Sequence, residues 1–67
     1  MTVYIGYRNK WEKGKFIVLA TTKSKAVANF ISQSYKDAYK RNGMKTVIEM
    51  HDKEELDELP EGWKYAD

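Results

Sequence analysis

The segment from residue 23 to residue 42 is the one part of this chain that is both long enough and regular enough to form a helix of several turns. Thr22 or Ser24 can cap its start, because a hydroxyl there accepts a hydrogen bond from a free amide of the first turn. Asn42 and Gly43 end it, since glycine readily adopts the left-handed conformation of a helix C-cap. At about 100° per residue, the apolar stripe of this helix consists of Val27, Phe30, Ile31, Ser34 and Ala38. The fold must therefore be built around one helix.

Three other segments have the composition of β-strands, two before the helix and one after it. Residues 3–8 and 45–50 alternate between the two faces of a strand, whereas residues 15–21 are apolar on both. A polar loop ending in Gly14 joins the first two strands as a hairpin. We predict an α+β fold with the chain order β-β-α-β. Its three-stranded antiparallel sheet has the order 2-1-3 and is covered by the long helix at residues 23–42.

The acidic C-terminal region is predicted to form a short helix at residues 53–59. Asp52 and Glu55 have the spacing of a helix-start motif, and Pro60 would end the helix. Trp63 is expected to hold the C-terminus against the body of the protein. The second face of the sheet would then be open or covered by this tail.

Chain length and composition limit the functions that we consider. A chain of 67 residues without cysteine forms a single domain (1–67) and has neither a disulfide nor a thiolate zinc site. No signal peptide or membrane-spanning segment is visible, so we expect a cytoplasmic protein that does not bind membranes. Solitary His51, the scattered glycines and the isolated serines match no catalytic or metal-binding motif. We expect a non-enzymatic protein with no cofactor and no metal.

Charge is distributed unevenly along the chain. Residues 1–45 contain ten basic and two acidic residues, a net charge of +8, and residues 46–67 contain two basic and eight acidic residues, a net charge of −6. Such separation creates two surfaces of opposite potential unless the tail folds back over the basic part. Both arrangements are compatible with the sequence.

Three groups of residues are candidates for binding a partner. The hairpin places an aromatic residue among cations, the helix carries two tyrosines on one flank, and the tail carries exposed carboxylates. These candidates are Arg8, Lys10, Trp11, Lys13 and Lys15 in the hairpin, Tyr35 and Tyr39 in the helix, and Glu54, Glu55 and Glu58 in the tail. The alternatives are a solvated hairpin, tyrosines that shield the edge of the sheet, and a tail that only increases solubility.

Two resemblances bear on function. The stretch from Trp11 to Ile31, with Lys13-Gly14-Lys15 before the helix and Thr21 to Ala26 opening it, resembles the arm-site DNA-binding domains of phage-type integrases. That resemblance implies DNA contact through a basic sheet, although three strands precede the helix in those domains. Size, element order and split charge resemble small phage-encoded inhibitors of host enzymes and compact anti-defence proteins, which implies a binding protein with a single target.

The predicted function is docking on a larger protein, as a phage or mobile-element inhibitor of a host factor would do. The alternative is a nucleic-acid-binding module that uses the basic hairpin and sheet. A homodimer that covers the open sheet face or pairs strand edges is also compatible with the sequence.

Overall fold

In the computed structural model, which describes residues 1–66, two strands precede a long helix and two follow it. The strands are β1 (Thr2–Asn9), β2 (Lys15–Thr22), β3 (Ile48–Lys53) and β4 (Trp63–Tyr65), and the helix is α1 (Lys25–Arg41). They form one sheet in the order β3-β1-β2-β4. β1 is antiparallel to both of its neighbours, and β4 is parallel to β2. The α+β class and the order of the first three strands are confirmed, whereas the prediction of a three-stranded, purely antiparallel sheet is wrong.

Helix α1 is capped as the sequence predicts. Ser24 accepts a hydrogen bond from the amide of Val27, and Lys40 and Arg41 occupy the last turn, where their charge complements the helix dipole. Gly43 follows with a φ of 72°. Among residues 1–66, no helix has the combined length and apolar character needed to cross a membrane.

The face of α1 that packs on the sheet differs from the predicted stripe. Ala28 and Ser32 are buried, and Tyr35 and Tyr39 pack beside them, whereas Phe30 is 74 % exposed. Small side chains at 28 and 32 let the helix backbone lie close to the sheet, and the tyrosine rings then cover more apolar area than Phe30 could. The helix is therefore rotated so that Phe30 points to solvent.

The sheet is packed on both faces. On the helix side, the buried residues are Val3, Ile5, Ala28 and Ile48. On the opposite side, Tyr4, Phe16 and Val18 are buried beneath Leu56, Leu59 and Trp63 of the C-terminal region. This double coverage explains why β2, which lies between β1 and β4, is apolar on both faces.

The C-terminal segment 54–62, called the strap below, crosses the second face of the sheet without forming a helix. Its backbone is attached at Leu56, whose amide donates to the Tyr4 hydroxyl, and at Gly62, whose carbonyl accepts from the amide of Phe16. The predicted short acidic helix at 53–59 is therefore wrong. A helix of two turns is marginal, like charges four residues apart such as Glu54 and Glu58 destabilise it, and the extended path lets both leucines reach the sheet.

Strand β3 lies three residues later than predicted, at Ile48–Lys53 instead of 45–50. Residues 44–47 are needed to carry the chain from the end of α1 to the sheet, and pairing with β1 begins at Ile48 opposite Tyr7. The shift places Asp52 and Lys53 in a strand. Charged residues are tolerated there because β3 is at the edge of the sheet.

Candidate functional site

The loop between β1 and β2 is ordered by its own hydrogen bonds. The amide of Gly14 donates to the carbonyl of Asn9 at 2.9 Å, and the side chain of Asn9 accepts from the amide of Trp11 at 2.9 Å. Lys13 and Gly14 both have positive φ values, 54° and 73°. This tight turn directs the side chain of Trp11 away from the protein, so that 94 % of the residue is exposed.

A groove of about 560 Å³ lies between this loop and the segment that leads into β3. Trp11 of the loop and Met44 and Val47 of the segment are among its lining residues, and Val47 is 76 % exposed. The groove is lined by Tyr7, Arg8, Asn9, Lys10, Trp11, Met44, Lys45, Thr46, Val47 and Glu49. Exposed apolar side chains and cations thus meet at one end of the sheet.

The end of α1 determines where Met44 lies. The amide of Met44 donates to the carbonyl of Tyr39 at 2.8 Å, which holds the chain against the last turn of the helix. Tyr39 packs edge-on against Tyr7 of β1, with the ring centroids 6.1 Å apart. Because Tyr7 also lines the groove, this ring contact joins the last turn of α1 to the strand that leads into the loop.

Three cations border the groove: Arg8, Lys10 and Lys45. Arg8 is partly neutralised, since its Nε lies 3.5 Å from a carboxylate oxygen of Glu49. Its guanidinium also lies over the ring of Phe16, which holds it in place. Within residues 1–66, Lys10 and Lys45 form no ion pair. The rim therefore keeps a positive charge that is available to a ligand.

The hairpin loop is also tied to the far edge of the sheet. Lys64 of β4 donates to the carboxylate of Glu12, with Nζ–O distances of 2.8 and 3.0 Å. This hydrogen bond lowers the pKa of Glu12, against an opposing effect of desolvation, and the positive charges of Lys64 and Lys15 lower it further. The loop that presents Trp11 is thus anchored to the C-terminal strand.

The structure separates the three groups of candidate residues. Arg8, Lys10 and Trp11 line the groove, while Lys13 and Lys15 are exposed on the same loop and its exit. Tyr35 and Tyr39 are half-buried against the helix-side core, with their ring centroids 6.0 Å apart. Burial raises the pKa of Tyr39, and the neighbouring Tyr7 and Tyr35 raise it further. Glu54, Glu55 and Glu58 are exposed on the strap, and none of them lines the groove.

The sequence left open whether the acidic tail lies against the basic part of the chain, and the path of the strap answers this in part. It lies on apolar residues of the sheet, and no strap carboxylate is paired with Lys10, Lys13 or Lys15 within the described chain. The strap carboxylates therefore do not neutralise these three lysines, and the ion pairs between the basic and acidic parts of the chain are Arg8–Glu49 and Lys64–Glu12 within residues 1–66.

His51 belongs to the packing beneath the strap. Its Nε2 lies 2.9 Å from Glu49, and its ring packs against Phe16 and Trp63, with centroid distances of 4.8 and 5.2 Å. No group of three His, Asp or Glu side chains in the part of the chain that the structure describes is arranged to hold a metal ion.

Sequence reasoning missed Met44, Lys45 and Val47 as members of the site. It assigned residues 45–50 to a strand, which would place Val47 within the sheet rather than beside Trp11. The available signal was an apolar residue directly after the Asn42-Gly43 helix stop, where a connecting segment is usually polar.

Comparison with known protein families, with characterised proteins and with solved structures finds no match to this chain.

Proposed function

We propose that this chain is a small non-enzymatic binding protein that docks on a larger protein through the groove between Trp11 and Val47. The observation that carries the proposal is the near-complete exposure of Trp11 beside two further exposed apolar residues, Met44 and Val47. A large aromatic side chain is costly to leave in water and is enriched at the energetic centres of protein interfaces. An apolar centre bordered by charge has the composition of a docking surface.

The chemistry of the groove defines the partner. Lys10 and Lys45 form no ion pair in residues 1–66 and favour an acidic surface, and Arg8 adds a third, partly neutralised cation. The apolar sides favour an aliphatic or aromatic side chain that inserts between Trp11 and Met44. We therefore expect the partner to present an apolar anchor among carboxylates, with charge complementarity accelerating association.

Nucleic acid is the second candidate ligand, and one specific observation favours it. Trp11 stands on the same loop as Lys10 and Lys13, and Lys15 follows at the start of β2. Single-stranded nucleic acids bind to such combinations, since a base stacks on the ring while cations contact phosphates. The aliphatic side of the groove, Met44 and Val47, favours the protein partner over this alternative.

A protein that covers part of a larger partner can inhibit it by occupying a surface that the partner needs. Inhibition of a host factor, as in the small phage-encoded proteins that this chain resembles, stays a hypothesis about the unidentified partner. Docking itself can be tested without identifying it.

The test uses NMR of the uniformly ¹⁵N-labelled protein at low salt. One probe is a tryptophan-free peptide in which glutamates flank a single leucine, and the other is a single-stranded deoxythymidine oligonucleotide. We expect the peptide to shift the indole N–H signal of Trp11 and the amide signals of Met44 and Val47. The indole signal of Trp63, which packs against Phe16 on the second face of the sheet, serves as an internal control.

Charge reversal at the rim should remove the response. Lys10→Glu combined with Lys45→Glu is expected to weaken peptide binding at least tenfold. Lys25→Glu combined with Lys36→Glu, the same charge change at exposed helix positions, should leave it intact. If the oligonucleotide shifts Trp11 and the peptide does not, the nucleic-acid function replaces the docking function. If neither probe shifts Trp11, both proposals are wrong.

A further inference from the structure

The outer edge of β3 has the properties of a strand that can pair with another chain. β3 pairs with β1 along its full length, from Ile48 opposite Tyr7 to Lys53 opposite Thr2. Within residues 1–66 no strand pairs with its other side. The strand has six residues, contains no proline and has no bulge, so its outward-facing N–H and C=O groups form a regular ladder. The opposite edge strand, β4, has three residues and offers a much shorter ladder.

The charges on β3 complement those of a second β3 in antiparallel orientation. On the face that lies opposite α1, the side chains are in turn Glu49, His51 and Lys53. If His51 lies opposite His51 of another copy, Glu49 of each chain lies opposite Lys53 of the other. The two-fold axis of such a pair produces this contact twice.

Other registers do not give this match. A shift by one residue places the helix-side face of one strand against the strap-side face of the other. A shift by two residues in one direction places Asp52 opposite Asp52 of the other copy. A shift by two residues in the other direction places Lys53 opposite Val47 of the other copy. The register centred on His51 is the one that retains both Glu49–Lys53 contacts.

The segments that flank β3 have opposite charges as well. Lys45 precedes the strand, and Glu54 and Glu55 follow it. Antiparallel pairing brings the residues before β3 of one copy near the residues after β3 of the other, so these charges also attract across the two-fold axis.

We propose that the outer edge of β3 binds the same edge of a second copy of this chain and forms a continuous eight-stranded sheet. Main-chain hydrogen bonds supply the attraction, and the two Glu49–Lys53 pairs determine the register. Trp11 and Met44 do not take part in this pairing, but Lys45 and Glu49 also line the groove. Lys53 does not line it, so the Lys53 variants test the dimer without changing the proposed docking site.

Sedimentation of the full chain over a range of concentrations tests the dimer. We expect a monomer–dimer equilibrium, and each of the variants Lys53→Glu and Glu49→Lys should lower the association constant about tenfold, because two attractive pairs become repulsive. The double variant should restore association to near the original constant. Rescue of this kind requires contact between copies, because Glu49 and Lys53 are four residues apart on one extended strand and do not touch.

Controls separate association from folding. Lys25→Glu changes the charge equally on α1 and should leave the association constant unchanged. Glu49 also contacts Arg8 and His51, and Lys53 lies over the ring of Trp63, so circular dichroism must show that each variant is folded. Should a reversal unfold the chain, Lys53→Gln removes the attraction without repulsion and is expected to weaken association by a smaller factor.

Amide hydrogen exchange of the unmodified protein gives a second, independent result. Outward-facing amides of β3 should become protected as the concentration rises, while amides of the loop at residues 10–14 should not. A chain that stays monomeric at millimolar concentration, or a double variant that associates no better than the single ones, overturns the proposal.

Discussion

The indole ring of Trp63 packs against the ring of Phe16, with the two ring centroids 4.6 Å apart. Trp63 also meets Tyr4 edge-on at 5.6 Å, and Lys53 lies over its ring. Phe16 is fully buried although it lies on the sheet face that α1 does not cover. The second core therefore depends on a residue near the C-terminus.

Replacing Trp63 should detach the strap. We expect Trp63→Ala to lower the free energy of unfolding by about 3 kcal/mol, because large-to-small changes in a core lose both burial and packing. Binding of a dye specific for apolar surfaces should rise as Tyr4 and Phe16 become exposed. Tyr65→Ala, a change in the same strand at a residue that is more than half exposed, is the matched control and should cost much less in urea unfolding.

Gly6 is expected to tolerate no side chain. A Cβ atom there would overlap the carbonyl oxygen of Ile17 in the neighbouring strand, and backbone cannot move aside as a flexible side chain can. Gly6→Ala should therefore prevent folding or cost about 3 kcal/mol or more, which thermal unfolding measures. Gly43→Ala provides the comparison: its position is open but has a φ of 72°, so the expected loss is about 1 kcal/mol. Gly6 has no positive φ, so a loss in Gly6→Ala no larger than that in Gly43→Ala would contradict the predicted collision with Ile17.

Removing the hydroxyl of Ser32 should stabilise the protein. Ser32 is 3 % exposed, and its Oγ has no hydrogen-bond partner. Burial of an unsatisfied hydroxyl costs about 1 kcal/mol or more, so Ser32→Ala is expected to raise the free energy of unfolding by about that amount. Ser34→Ala, which removes an exposed hydroxyl that donates to the carbonyl of Phe30, should change it little. A loss of stability in Ser32→Ala would indicate that the hydroxyl is satisfied in solution.

The Glu12–Lys64 contact should make stability depend on pH. The pKa of Glu12 is lower in the folded chain than its ordinary value of 4.5, so the carboxylate stabilises the fold above that value and loses its effect as the pH falls through the lowered pKa. Glu12→Gln should therefore reduce the melting temperature at neutral pH and leave it unchanged in strong acid. Glu61→Gln, at an exposed strap carboxylate, serves as the control. A difference between Glu12→Gln and the unmodified chain that is the same at every pH would contradict the assignment.

Much of the candidate site could be predicted from local sequence. Gly14 and the polar residues around it identified the hairpin loop, and Trp11 stood out because an aromatic residue among lysines has little reason to be in a turn. The second side of the groove could not be predicted. Val47 comes into contact with the groove only because α1 ends at the same end of the sheet as β1, which is a property of the packed structure.

Tyr35 and Tyr39 show what helical spacing left open. It placed them on one flank, as partner-binding residues or as a shield of the sheet edge, and the rotation of the helix packs them against the core while Phe30 is exposed. The helical periodicity of apolar residues does not determine which of two adjacent apolar stripes packs on the sheet. Ala28 and Ser32 determine it here, because their small size lets the helix lie close to the sheet.

Local patterns by themselves determined the helix, its caps, the hairpin and the first two strands, because capping hydroxyls, glycine turns and alternating side chains act over a few residues. They also indicated a third strand, but not its bounds. Tertiary structure alone decided the rotation of α1, the extended path of the strap and the parallel pairing of Trp63–Tyr65 with β2. These features depend on apolar area buried between segments that are distant along the chain. Leu56 and Leu59 gain more by covering Tyr4 and Phe16 than a short, like-charged helix would gain from its own hydrogen bonds.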